Sequence, residues 1–582
     1  MADPVFGISI RKIDNEPRPA IAADLSTIGL IGPAPLADPE VFPLNEPILL
    51  HSNDIIKLKS LGATGYIGDA IRGIDDQLGE TQFAARIVYV RTAEGVNVDP
   101  AIKTQLTINN ITGSSTSGTG IHAFVPSAQK LGVAPRVICA PGYTGQMANS
   151  IDTVTRNTAG SGYVEGASYD LTFSGGGTNA VQATGHAIGQ ADGTLGQAVV
   201  DTLGAWYTTA PTVTAAAPPK SVASAVVAAG GTGYTVGEQI TLANGVVLIV
   251  ATVSSGAVAT VTVGAAGLIT GSPPSGAQPQ LSSTGGGTGA TFTLTWTNPA
   301  TATFTATVAI GANPVCAGLT GVLNKLMGIA FVESSGTSYQ NDLDWRETFS
   351  SERLVPLSGG VKVIDPDTGS VVVRPFAPRM AGILVAVDHE KGAPFHSPAN
   401  RPVQGVVGPS REINYVLTDD ANEGQLLLRA NIGVLVRGQM GDDFAIASAG
   451  FINIVTDTAA EDTLWQMLNV RRGRDFIHLT LLRALRFYLG RYNIIGHTVQ
   501  ATINTMRGVL RDLHADNHIL GYRVNFATEG NSAEQIRLGH LTIGFAAEEP
   551  PVLKHLTIES ARYRAAIDAM VADLAAQLNL AA

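Results

Sequence analysis

The longest apolar periodicity covers residues 471–513, where Ile477, Leu481, Leu485 and Tyr488 recur at intervals of three and four and predict helix. A second such stripe, Tyr563, Ile567, Met570, Val571, Leu574 and Leu578, predicts a C-terminal helix from about Glu559. Shorter helical patterns lie around residues 66–78, over 120–131 and over 315–331. Alternation predicts a strand over 85–91, a buried strand over 135–140 before the turn Pro141-Gly142, and a hairpin over 361–373 turning at Asp365 to Gly369. Residues 1–20 hold Pro4, Pro17 and Pro19 and leave no room for a helix. Within them Val5, Phe6, Gly7, Ile8, Ser9 and Ile10 alternate as one strand. A lone strand needs a partner sheet, so residues 1–20 read as an extended arm that pairs with a neighbour.

One segment breaks the pattern. Between Glu238 and Lys325 there is no Asp, Glu, Lys, Arg or His, only glycine-punctuated runs rich in Thr, Val, Ala, Ser and Pro. That composition predicts an all-β unit, set at residues 151–310, inserted at an exposed point of a host body. Gly160-Ser-Gly-Tyr163-Val-Glu-Gly166 recurs as Gly231-Thr-Gly-Tyr234-Thr-Val-Gly237, which suggests two copies of one β module or a duplicated sandwich. The expected organisation is an arm (1–20), a discontinuous middle α/β region (21–150 with 311–465), the insertion, and a C-terminal domain (466–582) ending in a helix. The fold class is α+β, a mixed α/β multidomain core with an inserted, peripheral all-β domain.

Composition narrows the partners. At 582 residues with 45% apolar and 15% charged, the chain can bury several cores, which argues against global disorder. A formal net charge of −11 argues against nucleic acid as the main partner. The opening residues place acid and proline where a signal peptide needs an apolar run, and the longest apolar run, 246–253, is too short to span a bilayer. A soluble protein made in a cytoplasm is expected. Two cysteines, Cys139 and Cys316, sit near the edges of the insertion and are either buried free thiols or an intrachain or intersubunit disulfide.

The search for catalytic chemistry returns little. Asp365-Pro-Asp367-Thr-Gly369 lacks the third ligand and closing glutamate of a calcium loop and reads as a turn. His389-Glu390 lacks a second histidine, and His514 and His518 have no third ligand nearby. Gly285 to Gly289 has neither a following helix nor a lysine to cradle phosphate. No enzyme activity, cofactor or metal is expected. Arg471, Arg472, Arg474, Arg483, Arg486 and Arg491 cluster with Asp475 as the one acid among them. They are either a solvated helix face with packed stems or a cationic strip for an acidic protein partner.

Several segments carry a likeness to a known family. They are Thr112-Gly113 and Thr119-Gly120, the run from Gly132 through Arg136 to Pro141-Gly142, and Arg374-Pro-Phe-Ala-Pro378 leading through Ala381-Gly382 to Asp388. Further on come Ser397-Pro-Ala-Asn400, Gly405-Val-Val-Gly408, Asn469-Val-Arg-Arg472, Gly521-Tyr-Arg-Val, Gly539-His-Leu-Thr-Ile543 and Pro550-Pro551. In order and spacing, roughly over 110–150 and 315–555, the chain resembles the sheath proteins of contractile phage tails and injection machines. Residues 438–447 depart from the family's Trp-containing segment, and the C-terminal helix runs long.

The resemblance implies a structural subunit that stacks as hexameric rings around a tail tube and contracts to drive it through a host envelope. Its implied partners are copies of itself, the tube protein, and baseplate and tail terminator proteins, with no nucleic acid and no membrane insertion. Its implied place is the virion, assembled in the host bacterial cytoplasm. Arg471, Arg472, Arg474, Arg483 and Arg486 are then expected to face the tube. The competing reading is a surface adhesin or carbohydrate-binding protein, suggested by the Gly/Thr-rich insertion.

Overall fold

Short apolar runs bounded by turns become the strands of one central sheet in a computed structural model that describes residues 24–62, 65–79, 83–366, 368–437, 450–526 and 529–580. The expected arm with Val5 to Ile10, and the divergent segment 438–447, lie outside the described residues. Before a long excursion the strands are β1 (Ile28–Pro33), β2 (Pro47–His51), β3 (Arg86–Thr92) and β4 (Val137–Cys139). The excursion is bounded by β5 (Ala148–Thr158) and β6 (Thr303–Gly311). After it come β7 (Ile329–Glu333) and β8 (Leu354–Leu357). The sheet order is β8-β7-β4-β1-β3-β2, and only the β2–β3 pair is antiparallel.

Helices cover both faces, so the inner strands are buried on both sides and read as continuous apolar runs. The helices are α1 (Ile67–Leu78), α2 (Pro100–Thr112), α3 (Pro314–Leu326) and α4 (Ala377–Lys391). Ile74 of α1 and Met380 and Leu384 of α4 join Ile28, Tyr89 and Phe331 in one core. Ile108 of α2 and Leu319 and Leu323 of α3 join Val90, Ile138 and Val332 in the other. A methyl group at Gly382 would lie 2.9 Å from the Ile74 carbonyl oxygen, so α4 meets the α1 backbone directly. The helix expected over 315–331 ends at Leu326, because Met327 turns left-handed at φ 48° and the chain re-enters the sheet as β7. Residues 120–131 form a 3-10 turn and one short helix instead of a single helix.

The C-terminal part builds a third core. The long helical region divides into α5 (Leu468–Leu485) and α6 (Gly496–Ala515), separated by turns. Ile477, Met506 and Leu510 from these helices pack with Val524 of a hairpin formed by β9 (Gly521–Asn525) and β10 (Gly544–Glu548). Residues 552–558 have no regular structure. The last helix, α7 (Arg564–Leu580), starts five residues later than expected.

Strands make up the excursion apart from one short 3-10 turn. Its entry and exit, β5 and β6, pair side by side from Ala148↔Gly311 to Thr158↔Thr303, so the chain leaves and re-enters the host at one place. A six-stranded sheet lies nearest the body, with its own core of Tyr163, Leu171, Phe173 and Phe304. Residues 222–296 interrupt it to form a second unit around Tyr234, Ile240, Leu248 and Phe292.

The repeated motif has the same geometry in both units. Gly160 and Gly231 take φ of 64° and 63°, and the tyrosine three residues on accepts a hydrogen bond from a backbone N–H across the sheet. Tyr163 Oη accepts from Ala302 at 3.0 Å, and Tyr234 Oη from Ala290 at 3.2 Å. A third copy escapes the sequence pattern: Gly204 has φ 65°, and Tyr207 Oη accepts from Ala183 at 2.7 Å. In this copy Trp206, at φ 62°, stands where the others have Gly162 and Gly233.

Trp206 leaves the excursion and enters the body. Its ring joins the core under α2 and α3, and its Nε1 donates to Asn109 Oδ1 of α2 at 2.8 Å. A bulky residue in the left-handed region is costly, so its burial must outweigh the strain. Trp206→Gly is expected to keep both excursion cores while loosening their joint to the body. Calorimetry should then resolve a separate excursion transition, and limited proteolysis should cut near 148 and 311; a single unchanged transition would show that Trp206 is no pin.

Candidate functional site

Helix α5 follows an extended Met467 with no side-chain cap, and its first two turns are packed between the body and the C-terminal core. Leu468, Arg471, Arg472, Asp475 and Leu479 recur at helical spacing and are all buried. The expectation that Arg471, Arg472 and Arg474 face a partner is therefore corrected: each is turned inward onto a carboxylate. Arg472 makes a two-pronged pair with Asp388 at the end of α4, Nη1 to Oδ1 at 2.8 Å and Nη2 to Oδ2 at 2.6 Å. Asp388 also accepts from Ser26 Oγ at 3.1 Å. Asp475 receives Arg353 at 2.6 and 3.2 Å and Arg471 at 2.5 Å, and Arg471 reaches Glu352 at 2.9 Å. Arg474 grips Glu549, just past β10, at 2.7 and 2.9 Å. The hydrogen bonds and charge of Glu549 hold Arg474 protonated beyond the ordinary arginine range.

Arg483 and Arg486, at the far end of α5, are exposed, as is Arg491, whose guanidinium lies 5.1 Å from the Phe487 ring centre. The six arginines thus divide into a buried joint and an exposed end. Asn469 joins the same seam, donating to the Phe395 carbonyl at 3.2 Å and the Pro550 carbonyl at 2.9 Å. Phe395 stacks on His518 with ring centres 5.0 Å apart, and His396 meets His518 edge-on at 6.1 Å. Burial lowers the pKa of both histidines.

The disulfide alternative is also corrected. Cys139 and Cys316 are both free and buried, in cores on opposite faces of the sheet. Cys139 donates to the Ala377 carbonyl and Cys316 to the Thr144 carbonyl, each at 3.6 Å. Burial pushes both thiols up and leaves them unreactive. Among the described residues no group of three or more His, Cys, Asp or Glu could hold a metal ion. No helix among them is long and apolar enough to cross a membrane.

The hairpin β9–β10 is the other feature of this end of the molecule. It is a two-stranded sheet backed by α6, and neither outer edge pairs with a further strand among the described residues. Such a hairpin is marginal alone and presents two rows of backbone donors and acceptors.

No protein-family model matches the chain. It is 25% identical over 225 residues to a prophage major tail sheath protein of Pseudomonas aeruginosa (strain UCBPP-PA14), and 27% identical over 262 residues to the tail sheath protein of Burkholderia phage BcepMu. Over 125 residues it is 35% identical to the major tail sheath protein of Serratia phage KSP20. These relatives are tail sheath proteins, and it is to them that the chain is similar. The matches to the first two cover 39% and 43% of this chain and 55% and 52% of those relatives, about half of their length. Among solved structures, the helical sheath of the anti-feeding prophage in its contracted state aligns over 97% of this chain and 100% of that one, with a TM-score of 0.47 and 11% identity. The PVC sheath complex of an extracellular contractile injection system, also contracted, aligns over 42% of this chain and 68% of that one at a TM-score of 0.35 and 15% identity.

Two outcomes follow for this sheath homologue. Arg472→Met would strand the buried Asp388 charge and should cost about 3–5 kcal/mol in urea unfolding, whereas Arg472→Met with Asp388→Leu should cost far less. Equal losses in the single and double variants would show that packing, not charge, holds the seam. The histidines give a pH dependence. Their folded pKa values are depressed, so below the ordinary histidine value the unfolded chain binds more protons and stability falls as pH falls. His518→Phe, which keeps the stack on Phe395, should flatten the stability loss between about pH 7 and pH 5. An unchanged slope would remove His518 from the account.

Proposed function

We propose that this chain is the repeating subunit of a contractile tail sheath, stacking with copies of itself as hexameric rings around a tail tube and shortening to drive that tube through a bacterial envelope. The observation that carries the reading is the open two-stranded sheet β9–β10 in a relative of sheath proteins. Backbone hydrogen bonds from a neighbour's strand would complete it, linking copies while their globular contacts exchange. The alternating residues Val5, Phe6, Gly7, Ile8, Ser9 and Ile10 are the strand we assign to that edge.

In this reading the subunit works mechanically. It needs no cofactor and no catalytic site, and neither nucleic acid nor membrane insertion enters. The buried α5 ion pairs favour movement of the subunit as a near-rigid body between two discrete packings, and a small free-energy difference per copy sums over many copies. Baseplate and tail terminator proteins would bound the array, and the sheath would belong to the virion after assembly in the host cytoplasm. Arg483 and Arg486, exposed beyond the seam, remain our assignment for cations facing the tube. The excursion of residues 148–311, joined through two paired strands, faces away from it.

Negative-stain microscopy of the purified chain tests the reading. Rings or long hollow striated tubes are expected, and a chain lacking residues 2–18 should stay folded yet form no long tubes. Discrete particles from the full chain would favour the adhesin reading, and tubes of unchanged length from the truncation would remove the arm from the lattice.

A further inference from the structure

We propose that Arg136 is the floor of an oxyanion-binding site where the central sheet meets helix α5, and that its ligand is a small tetrahedral oxyanion such as phosphate. The site lies within one chain and does not depend on assembly. Arg136 immediately precedes β4, and its backbone is fixed on both sides. Its N–H donates to the Thr27 carbonyl and its carbonyl accepts from Ile329, each at 2.8 Å. A methyl group at Gly328 would lie 2.7 Å from the Arg136 carbonyl oxygen, so the approaches to β4 and β7 touch. Arg353, just before β8, binds the Gly328 carbonyl at 3.0 Å and Asp475 of α5 at 2.6 Å. Three neighbouring strand starts are thereby gathered against one stretch of α5.

Arg136 differs from the other arginines of this seam. Arg353, Arg471, Arg472 and Arg474 each hold a carboxylate. Asp475 cannot serve Arg136 as well, because Arg353 and Arg471 take both of its oxygens. Glu352 is taken by Arg471. Among the described residues no hydrogen bond or ion pair reaches the Arg136 guanidinium, although the side chain is half-buried and its Nε is sealed from water. The Nη end is the part left open to solvent.

A guanidinium drawn out of water without a carboxylate of its own is costly. Burial first, and then the positive charge of Arg483 on α5, push its pKa down, with Asp475 opposing. A bound anion removes that cost. The planar fork of arginine suits two oxygens of an oxyanion better than it suits a spherical halide. The charge of Arg483 favours an ion of more than one negative charge, which is why phosphate is expected to outcompete chloride. Such an ion would tie α5 to the sheet at a point where no carboxylate of the chain does so.

Calorimetry of the full-length chain at neutral pH and fixed ionic strength tests the site, with chloride replaced stepwise by inorganic phosphate. The unfolding midpoint should rise and saturate, as binding to the folded chain requires. The rise is read against Arg136→Met, since general stabilisation by excluded salts is common to both chains. Arg136→Met should lose the saturable part. In chloride alone its midpoint should match or exceed that of the unaltered chain, because an unpaired charge has gone. Arg483→Gln, at an exposed position, should keep the rise but need severalfold more phosphate for half of it. No saturable rise in the unaltered chain would overturn the site, and so would an equal rise in Arg136→Met, which would place phosphate elsewhere. A lower midpoint of Arg136→Met in chloride would show that the arginine already has its partner, and would overturn it too. An unshifted half-saturation in Arg483→Gln would do the same whether or not Arg136→Met folds.

Discussion

A guanidinium and a carboxylate, both taken out of water, hold the two halves of this molecule in one relative orientation. Arg472 and Asp388 meet through two charge-assisted bonds with side chains 2% and 4% exposed. Such a pair adds little net stability, because desolvation offsets most of the attraction, but it is severe about geometry. Asp388 ends the helix that lies on the central sheet, and Arg472 begins the helix that founds the C-terminal core. Arg353 with Asp475, and Arg474 with Glu549, repeat the arrangement on either side. An apolar joint could slide by small repacking steps, whereas this one is either made or broken. On the proposed sheath reading, a subunit that keeps its shape while neighbours exchange contacts is better served by the second kind.

The arginine cluster was legible in the sequence, but its meaning was not. Only Asp475 stands near it in the chain, which invited an outward reading. The other carboxylates, Glu549, Asp388 and Glu352, lie 75, 84 and 119 residues away and are brought in by the fold. The helical period of α5 and α6 was readable because one face of each is buried. Helix α2 was not picked out, since only Thr107, Ile108 and Ile111 are buried along it. Strand β7 is buried at every position, so a test for alternation has nothing to find, and its apolar run was absorbed into the preceding helix.

The excursion reverses that balance. Its β character follows from a composition poor in charge, with none between Glu238 and Lys325, and with β-branched residues between glycines, and two of its three tyrosine corners announce themselves as a repeat. The third hides because Trp206 occupies a left-handed position that glycine holds in its siblings. What a sequence pattern registers as a missing glycine is, in the fold, the side chain that leaves its own module to fill another. The nesting of one unit inside the other is equally silent in sequence, since it depends on which strands return to pair.

These features share a logic about where buried charge finds its partners. Inside the body, Glu333 shows the rule: although buried, it accepts from the N–H groups of Gly142, Phe376 and Ala377, capping the start of α4. Burial still raises its pKa, so the carboxylate is tolerated because three donors converge on it. The C-terminal domain follows the opposite rule past residue 490. There, among the described residues, a hairpin has bare edges, a groove is apolar, and a helix turns its apolar stripe to solvent. Unmet backbone and apolar surface are costs that another chain can remove. On the proposed sheath reading, a body whose buried carboxylates are paired, joined to an unfinished end, lets association draw its free energy from the end without disturbing the body.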